Sequence, residues 1–482
     1  MVPIADTKRK TAMSTIRPNV PQFFLDDQWI AAQRRVMRRW MPADIHPNPT
    51  IQPDRPWEGH SLWLYGTVLG NTHDGFRMIY TGKSFRTKPA GPLNNGRIFL
   101  ALSDDGLTWR KPELGLTDWD GSRANNMLFE PGQYQDGVSV MHDPQDHAWP
   151  LKMIGWESGN VPGAGGDGPG LYAYRSADGQ KWDSVPGRRA ITGDRTNVMV
   201  ERVDGQCVAY SRHHEMMDLI GARSIWRIQS EDFLTWSEPQ LVLAPDLHDP
   251  PDVEYYGMPV FRRHGWFFGL LEYWHADTDV MAVHLVFSRD GVRWHHPTPR
   301  RPFIAPTYHW NRMWNTCASN GPIILNEQML FYFNGRSIGH NLNTVQQHGV
   351  IGSASLELDR FCAIEGQVGG RLDTPTFTWP GGTLTVNADT RHAFQGHAGH
   401  ITGRLDVEVL DADGAPLPDW SGQRRATFQG NTHCRGKVVP GEVVWPTDRR
   451  LDALAGQPIR LRFDLDHARL FTFAATDTVD AS

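Results

Sequence analysis

The run Ser103-Asp104-Asp105-Gly106-Leu107-Thr108-Trp109 recurs along the chain, and this constrains the fold more than any other feature. Ser176-Ala177-Asp178-Gly179-Gln180-Lys181-Trp182 and Ser288-Arg289-Asp290-Gly291-Val292-Arg293-Trp294 share its form. Ser230-Glu231-Asp232-Phe233-Leu234-Thr235-Trp236 departs from it only at the glycine. The pattern is S-x-D-G-x-x-W, at steps of 73, 54 and 58 residues. Periods of this size signal a repeated supersecondary unit. The segments between the boxes are short apolar runs with turn residues at their ends, so each unit is strand-rich. Such a chain folds as a β-propeller.

The strand pattern gives five blades. Blade one takes Ser61–Leu69, Phe76–Tyr80 and Arg97–Leu102; blade two Val138–His142, Leu151–Trp156 and Leu171–Arg175; blade three Asn197–Val203, Cys207–Ser211 and Ser224–Gln229. Blade four takes Met258–Arg262, Trp266–Glu272 and Met281–Phe287, and blade five Pro322–Leu325, Met329–Asn334 and Gly349–Leu358. A fourth strand follows each box. Four strands per blade around a channel is the propeller rule, and five blades lie within its range. Residues 1–20 read as a flexible tail. Gln22–Ile30 reads as a strand lent to the last blade to close the ring, and residues 31–40 as a short basic helix. The Gly-rich stretch Val161–Gly170 reads as an inserted rim loop. After about residue 365 the boxes stop. Thr383–Val386, Gly403–Leu410, Ala426–Phe428, Val443–Pro446 and Pro458–Leu465 alternate like strands, so 366–482 is expected to be an accessory β-sandwich beside a propeller spanning 21–365.

Within each box, Ser and Asp side chains suit a tight turn, Gly supplies positive φ, and Trp can wedge between sheets. Scaffolding is a stronger reading for these Asp residues than a ligand site repeated in every blade. The boxes serve instead as rulers. Stepping back 34 to 45 residues from each box serine lands on Glu58, Asp136, Asp194 and Glu254. These acids stand just before the innermost strand of four successive blades, where the strands converge on the axis. Each alone reads as a turn residue or a solvated acid. Together they make a set of carboxylates whose crowding can separate an acid from a base or nucleophile. Trp57, Asp252, Tyr255, Arg195, Arg312, Trp314 and Asn320 lie near the same step and are candidate substrate-binding residues. Aromatic faces pack on sugar rings, and arginines hydrogen-bond hydroxyls or carboxylates. Tyr65, Tyr256, Trp274 and His340 fall in the same neighbourhood, although 19 Trp and 21 His make some clustering a matter of composition.

Other classes lose ground. A net charge of −6 gives no electrostatic case for nucleic acid or an anionic membrane. The four cysteines are scattered, which argues against disulfides and structural zinc. There is no H-x-H or H-E-x-x-H spacing, P-loop, dinucleotide fingerprint or G-x-S-x-G. No signal peptide or membrane-length apolar run is seen, so a cytoplasmic location is the default. No metal ligand set is assigned and no cofactor is required; a calcium ion in the channel and assembly into a homo-oligomer stay compatible with the sequence.

The runs Phe24-Leu25-Asp26-Asp27, Pro53-Asp54-Arg55-Pro56-Trp57-Glu58-Gly59 and Ser103–Leu116 resemble uncharacterised bacterial proteins of the five-bladed propeller glycosidase superfamily, which includes invertases, inulinases, arabinanases and β-xylosidases. The resemblance to that uncharacterised group covers most of the chain, including a C-terminal β-sandwich. The enzymes of known activity take an Asp, an Asp and a Glu from three consecutive blades. The resemblance implies Asp136 as nucleophile or base, Asp194 as the stabilising acid and Glu254 as proton donor, with Asp252 competing for the last role. The sequence departs from the invertases, which carry their first Asp in the first blade, where Glu58 stands here. Their Arg-Asp-Pro becomes Gly193-Asp194-Arg195, and their Glu-Cys-Pro becomes Glu254 with Pro259 farther on. The boxes are also similar to those of six-bladed sialidases, but those have one more residue before the Gly, and no arginine triad is evident here. The expected activity is hydrolysis of a glycosidic bond in a saccharide. The rivals are a non-catalytic carbohydrate-binding propeller, a sialidase-like hydrolase and an assembly module.

Overall fold

The computed structural model describes residues 14–71, 73–84, 95–129, 135–157, 170–185, 193–212, 221–340, 348–393, 400–434, 437–438, 441–446 and 451–477. The rim loop expected at Val161–Gly170 lies outside them except for Gly170. Two compact units result. One comprises Pro42–Leu325 and Met329–Leu356; the other takes the described residues up to Met41, Asn326–Gln328 and those from Glu357 onward.

The first unit is the five-bladed propeller. Each blade is an antiparallel meander whose first strand is innermost. Blade one is Ser61–Asn71, Gly75–Ser84 and Asn95–Ser103, with its expected fourth strand reduced to a single bridge between Leu102 and Arg110. Blade two runs Gln135–His142, Leu151–Glu157, Gly170–Ser176 and Asp183–Ser184, and blade three Thr196–Val198, Cys207–Ser211, Ile225–Ser230 and Gln240–Leu243. Blade four is built on Val253–Gly257, Trp266–His275, Val280–Ser288 and Trp294–His295, and blade five on Trp314–Cys317, Gln328–Arg336 and Gly349–Glu357. Apolar side chains on facing sheets fill the seams. Leu64, Met78 and Phe99 meet Leu330, Tyr332 and Ile351 between blades one and five. Val138 and Tyr172 meet Ile98 and Leu100 between blades one and two.

The boxes turn as their residue types dictate. In each, one Asp oxygen accepts two successive backbone N–H groups: those of Leu107 and Thr108 on Asp105, at 2.8 and 2.7 Å, and the equivalent pairs on Asp178, Asp232 and Asp290. The Ser hydroxyl accepts the box-glycine N–H, at 2.8 Å for Gly106 and Gly179. Gly106, Gly179 and Gly291 have φ of 70, 75 and 71°. Phe233 takes the same left-handed conformation at 68°, a strain held by a side chain that is itself buried. Two of the turns also receive a tyrosine from the preceding blade: Tyr332 donates to the Gly106 carbonyl, and Tyr210 to that of Gly291 at 2.8 Å. The boxes are blade-to-blade fasteners, in keeping with scaffolding.

Three expectations at the N-terminus are corrected. The strand that closes the ring is Asp44–Ile45, antiparallel to the outer strand of blade five (Ile45 opposite Ala354), and not Gln22–Ile30. Gln22–Phe23 pairs with Ala468–Thr476 in the second unit, because Phe24 and Trp29 are fully apolar anchors of that unit's core, packed on Phe377 and Phe473. Residues 31–40 are not a helix. Ala32–Trp40 is a strand against Cys362–Asp373, and its exposure alternates from Arg35 to Trp40 with the period of two that a strand requires. The propeller therefore begins near residue 42 rather than 21, and ends at 356 rather than 365.

The second unit is the β-sandwich. Cys362–Asp373 pairs with Ala468–Thr476 through Ile364–Gly366, then with Pro458–Asp466 through Gly370–Asp373. A register shift between Gly366 and Arg371, in the pairing with Ala32–Trp40, falls between these stretches, and Leu384, Val407, Leu461 and Phe473 share one core. Val443–Pro446, expected as a strand, is irregular, though Val443 and Trp445 still enter the core. Among the described residues no helix is long and apolar enough to cross a membrane.

Candidate active site at one channel mouth

The innermost strands of blades one, two and four each carry a register shift, between Trp63 and Thr67, Asp136 and Ser139, and Tyr255 and Gly257. A bulge re-aims the side chains on either side of it. In blade four the shift sends Tyr256 into an aromatic cluster with Trp63, Tyr65, Trp274 and Trp314, while Tyr255 faces the seam with blade three. Rings of that cluster meet mainly edge to face: Tyr256 on Trp314 at 4.9 Å and Trp63 on Tyr65 at 5.1 Å, with His340 stacked on Trp314 at 4.7 Å. The Tyr65 hydroxyl donates to that of Tyr256 at 3.3 Å, which shares a hydrogen bond of 3.1 Å with His340 Nε2. Burial, helped by Tyr256, pushes the Tyr65 phenol well above its ordinary pKa, so it stays protonated.

Cations penetrate this cluster. The Arg195, Arg212, Arg223 and Arg336 guanidinium groups lie over the rings of Tyr65, Tyr256, Trp274 and Trp63 at 4.5, 4.1, 4.9 and 4.3 Å. Three of them hold carboxylates. Arg212 pairs with Asp194 and also donates to the Tyr256 carbonyl, and Arg223 pairs with Glu254. Arg195 grips Glu272 through two bonds of 3.2 and 2.7 Å, donates to the Cys317 carbonyl at 2.8 Å, and so ties blades three, four and five together at the axis. Burial pulls the Arg195 pKa down, and Glu272 more than offsets it. Glu272 is completely buried, whereas Asp194 and Glu254 keep 38% and 22% of their side chains exposed, so these two can reach a ligand.

The structure thus brings Asp194 and Glu254 to one mouth, whereas Arg195 and Trp314, expected as substrate-binding residues, are buried in the wall beneath it and do not reach a ligand. Asp136 lies at the equivalent bulged position of blade two, with its side chain outside the described residues. The other expected residues stand elsewhere. Glu58 is fully buried, its oxygens taken by the Tyr80 hydroxyl, Lys111 and the amides of Asp54 and Arg55, which leaves none for a ligand. Trp57 donates to Asn126 at 2.8 Å in the same wall. Asp252 pairs with His275 at 3.1 Å, beside a second polar group in which Tyr255 and Tyr273 both donate to Asp249. Arg312 is at the rim, donating to the Ser337 carbonyl. Asn320 is at the opposite end of the channel, its side chain accepting the Val68 N–H at 2.7 Å and donating to the Gly321 carbonyl. Among the described residues no three His, Cys, Asp or Glu side chains converge as a metal site would require.

Sequence reasoning missed Arg212, Glu272 and Arg336. A signal existed: the second strands of the five blades carry a charge in or just after their last few residues, at Lys83, Glu157, Arg212, Glu272 and Arg336, where the rest of each strand is mostly apolar. No protein-family model matches this sequence, and no curated protein does. Solved structures similar to it include a glycosyl hydrolase from Bacteroides ovatus, at 14% identity over 66% of this chain and 94% of that one, with a TM-score of 0.44. A β-1,2-mannobiose phosphorylase from Listeria innocua matches at 11% identity over 66% and 97%, with a TM-score of 0.46. An N-acetylgalactosamine deacetylase from F. plautii matches at 13% over 67% and 96%, with a TM-score of 0.44. Likenesses this distant attach no activity to the chain, and its five blades are read from its own sheets.

Proposed function

We propose that the propeller is a glycoside hydrolase working at the mouth that carries Asp194 and Glu254. The observation that supports this is a pair of part-exposed carboxylates from consecutive blades, each held by a guanidinium that is fixed in turn. Arg212 is set by the Tyr256 ring and carbonyl, and Arg223 by the Trp274 ring. Carboxylates held at set angles beside a rigid wall are what acid–base cleavage of an acetal needs, since the transition state develops positive charge on the sugar. In this reading Glu254 takes up a proton from solvent as substrate binding draws it away from Arg223, and passes that proton to the departing oxygen, while Asp194 stabilises and orients the sugar. Asp136 acts as nucleophile or base from its place in blade two.

Turnover of a panel of aryl glycosides and oligosaccharides tests the proposal. Glu254→Gln and Asp194→Asn should each lower kcat by roughly 10²–10⁴-fold on whichever substrate is cleaved. Full activity in both would remove these residues from the chemistry. A second reading, a sugar-binding propeller without catalysis, draws on the fact that Asp194 and Glu254 each already have a guanidinium partner. It expects saccharide binding that weakens in the same variants, with no turnover of any panel member.

A further inference from the structure

The end of the channel opposite the acids holds a cavity of about 400 Å³, to which the glycosidase reading assigns nothing. Its walls come from residues 68–70 of blade one, 199–201 of blade three, Val260–Arg263 of blade four, and 320–324 with Met329 of blade five. Between the cavity and the acid-bearing mouth the inner strands are knitted across the axis. Thr67 and Ser319 share a hydroxyl bond of 2.6 Å, and the Thr67 oxygen also takes the Val140 N–H at 2.9 Å. The Ser319 N–H reaches the Gly66 carbonyl at 2.7 Å, and Asn320 holds the Val68 amide.

The wall is apolar and fixed. Phe261 stacks on Phe268 at 5.3 Å, and a Cβ on Gly321 would fall 2.3 Å from Phe261 atoms, so only glycine lets that side chain lie against the blade-five backbone. Val68, Met199, Val260 and Ile323 contribute aliphatic surface, and Ile324 is left 43% exposed. A preformed apolar hollow of this size suits a small ligand. Its charge is lopsided: Arg262 and Arg263 stand among the lining residues against Glu201 alone, and Arg262 is exposed, with its guanidinium over the Phe267 ring at 5.2 Å.

We propose that this cavity binds a small amphipathic carboxylic acid, its apolar body inside and its carboxylate on Arg262. A guanidinium recognises a carboxylate through paired N–H donors, which a neutral or cationic head group cannot exploit. The site is separate from the glycosidase mouth and stands or falls without it. Calorimetric titration of the full chain with 3-phenylpropionate, 3-phenylpropan-1-ol and 3-phenylpropylamine tests it, because the three share a body and differ in charge. The acid should bind about fivefold more tightly than the alcohol, with the amine weakest. Arg262→Glu, a change at an exposed position, should reverse the order of acid and amine. Val200→Trp, which fills the cavity, should abolish binding of all three. Equal affinities, no binding of the acid at millimolar concentration, or binding unaffected by Val200→Trp would each overturn the proposal.

Discussion

Replacing Glu272 by Gln isolates the ion pair that ties three blades at the axis. The change keeps the side chain's shape and removes one charge. Glu272 is fully buried and Arg195 exposes 2% of its side chain, so neither group has solvent to fall back on. One bond of the bidentate grip would keep only a neutral acceptor and the other would be lost, since an amide nitrogen cannot accept from a guanidinium, which would stay in a wall that also contains Arg212 and Arg336. Removing one member of a buried pair costs about 3–5 kcal/mol, because the remaining charge is uncompensated. That is a large share of the roughly 5–15 kcal/mol that holds a typical domain folded. The urea midpoint of the propeller, followed by tryptophan fluorescence, should fall by about 1 M or more. Arg195→Met combined with Glu272→Leu removes both charges together. It leaves only the Cys317 carbonyl without its 2.8 Å donor, a loss of about 1–3 kcal/mol. The double variant should therefore be more stable than Glu272→Gln alone. A Glu272→Gln variant within 1 kcal/mol of the parent, by the same scale, or a double variant less stable than either single one, would refute the reasoning.

Other outcomes follow from the same geometry. Asp105→Ala and Asp232→Ala each remove an acceptor for two backbone N–H groups and should cost about 0.5–2 kcal/mol in thermal unfolding, as loss of a helix cap does. These backbone bonds hold both carboxyl pKa values down to about 2, so the penalty should be full above pH 4 and fade as pH falls toward 2. Burial, reinforced by His296, drops the His284 pKa to about 3, which means the folded chain binds fewer protons there than the unfolded one. Stability should therefore decline from pH 6.5 to pH 4 by about 3 kcal/mol on this account, and His284→Phe, which can keep the stack on Tyr273, should flatten that slope.

The blade count was legible because the boxes and the alternating strands are local signals, carried by turn chemistry and side-chain period. The scaffolding role of the boxes was legible too, since Ser, Asp and Gly at those offsets satisfy their own turn; the tyrosines that fasten them to the preceding blade were not. What escaped were matters of partner choice. Phe24 and Trp29 look the same in sequence whether they close a ring or anchor a sandwich; only the apolar surface of Phe377 and Phe473 decides. Counting back from the boxes landed on Asp194 and Glu254, two acids that the structure leaves part-exposed. It could not show that the bulge at Tyr256 turns Tyr255 away, nor that Lys111 would claim Glu58. The arginines that fix the two acids come from blade-three residues 18 and 31 positions away from their partners, a pairing set by blade geometry.

The central claim is that Glu254 gives its proton to a departing sugar oxygen, and leaving-group dependence tests it most directly. With Glu254→Gln, kcat/KM should fall by roughly 10³-fold on an alkyl glycoside, whose leaving group needs the proton. On the matching dinitrophenyl glycoside, whose leaving group departs unaided, it should fall far less. An equal loss on both substrates, or no loss on either, would contradict the assignment.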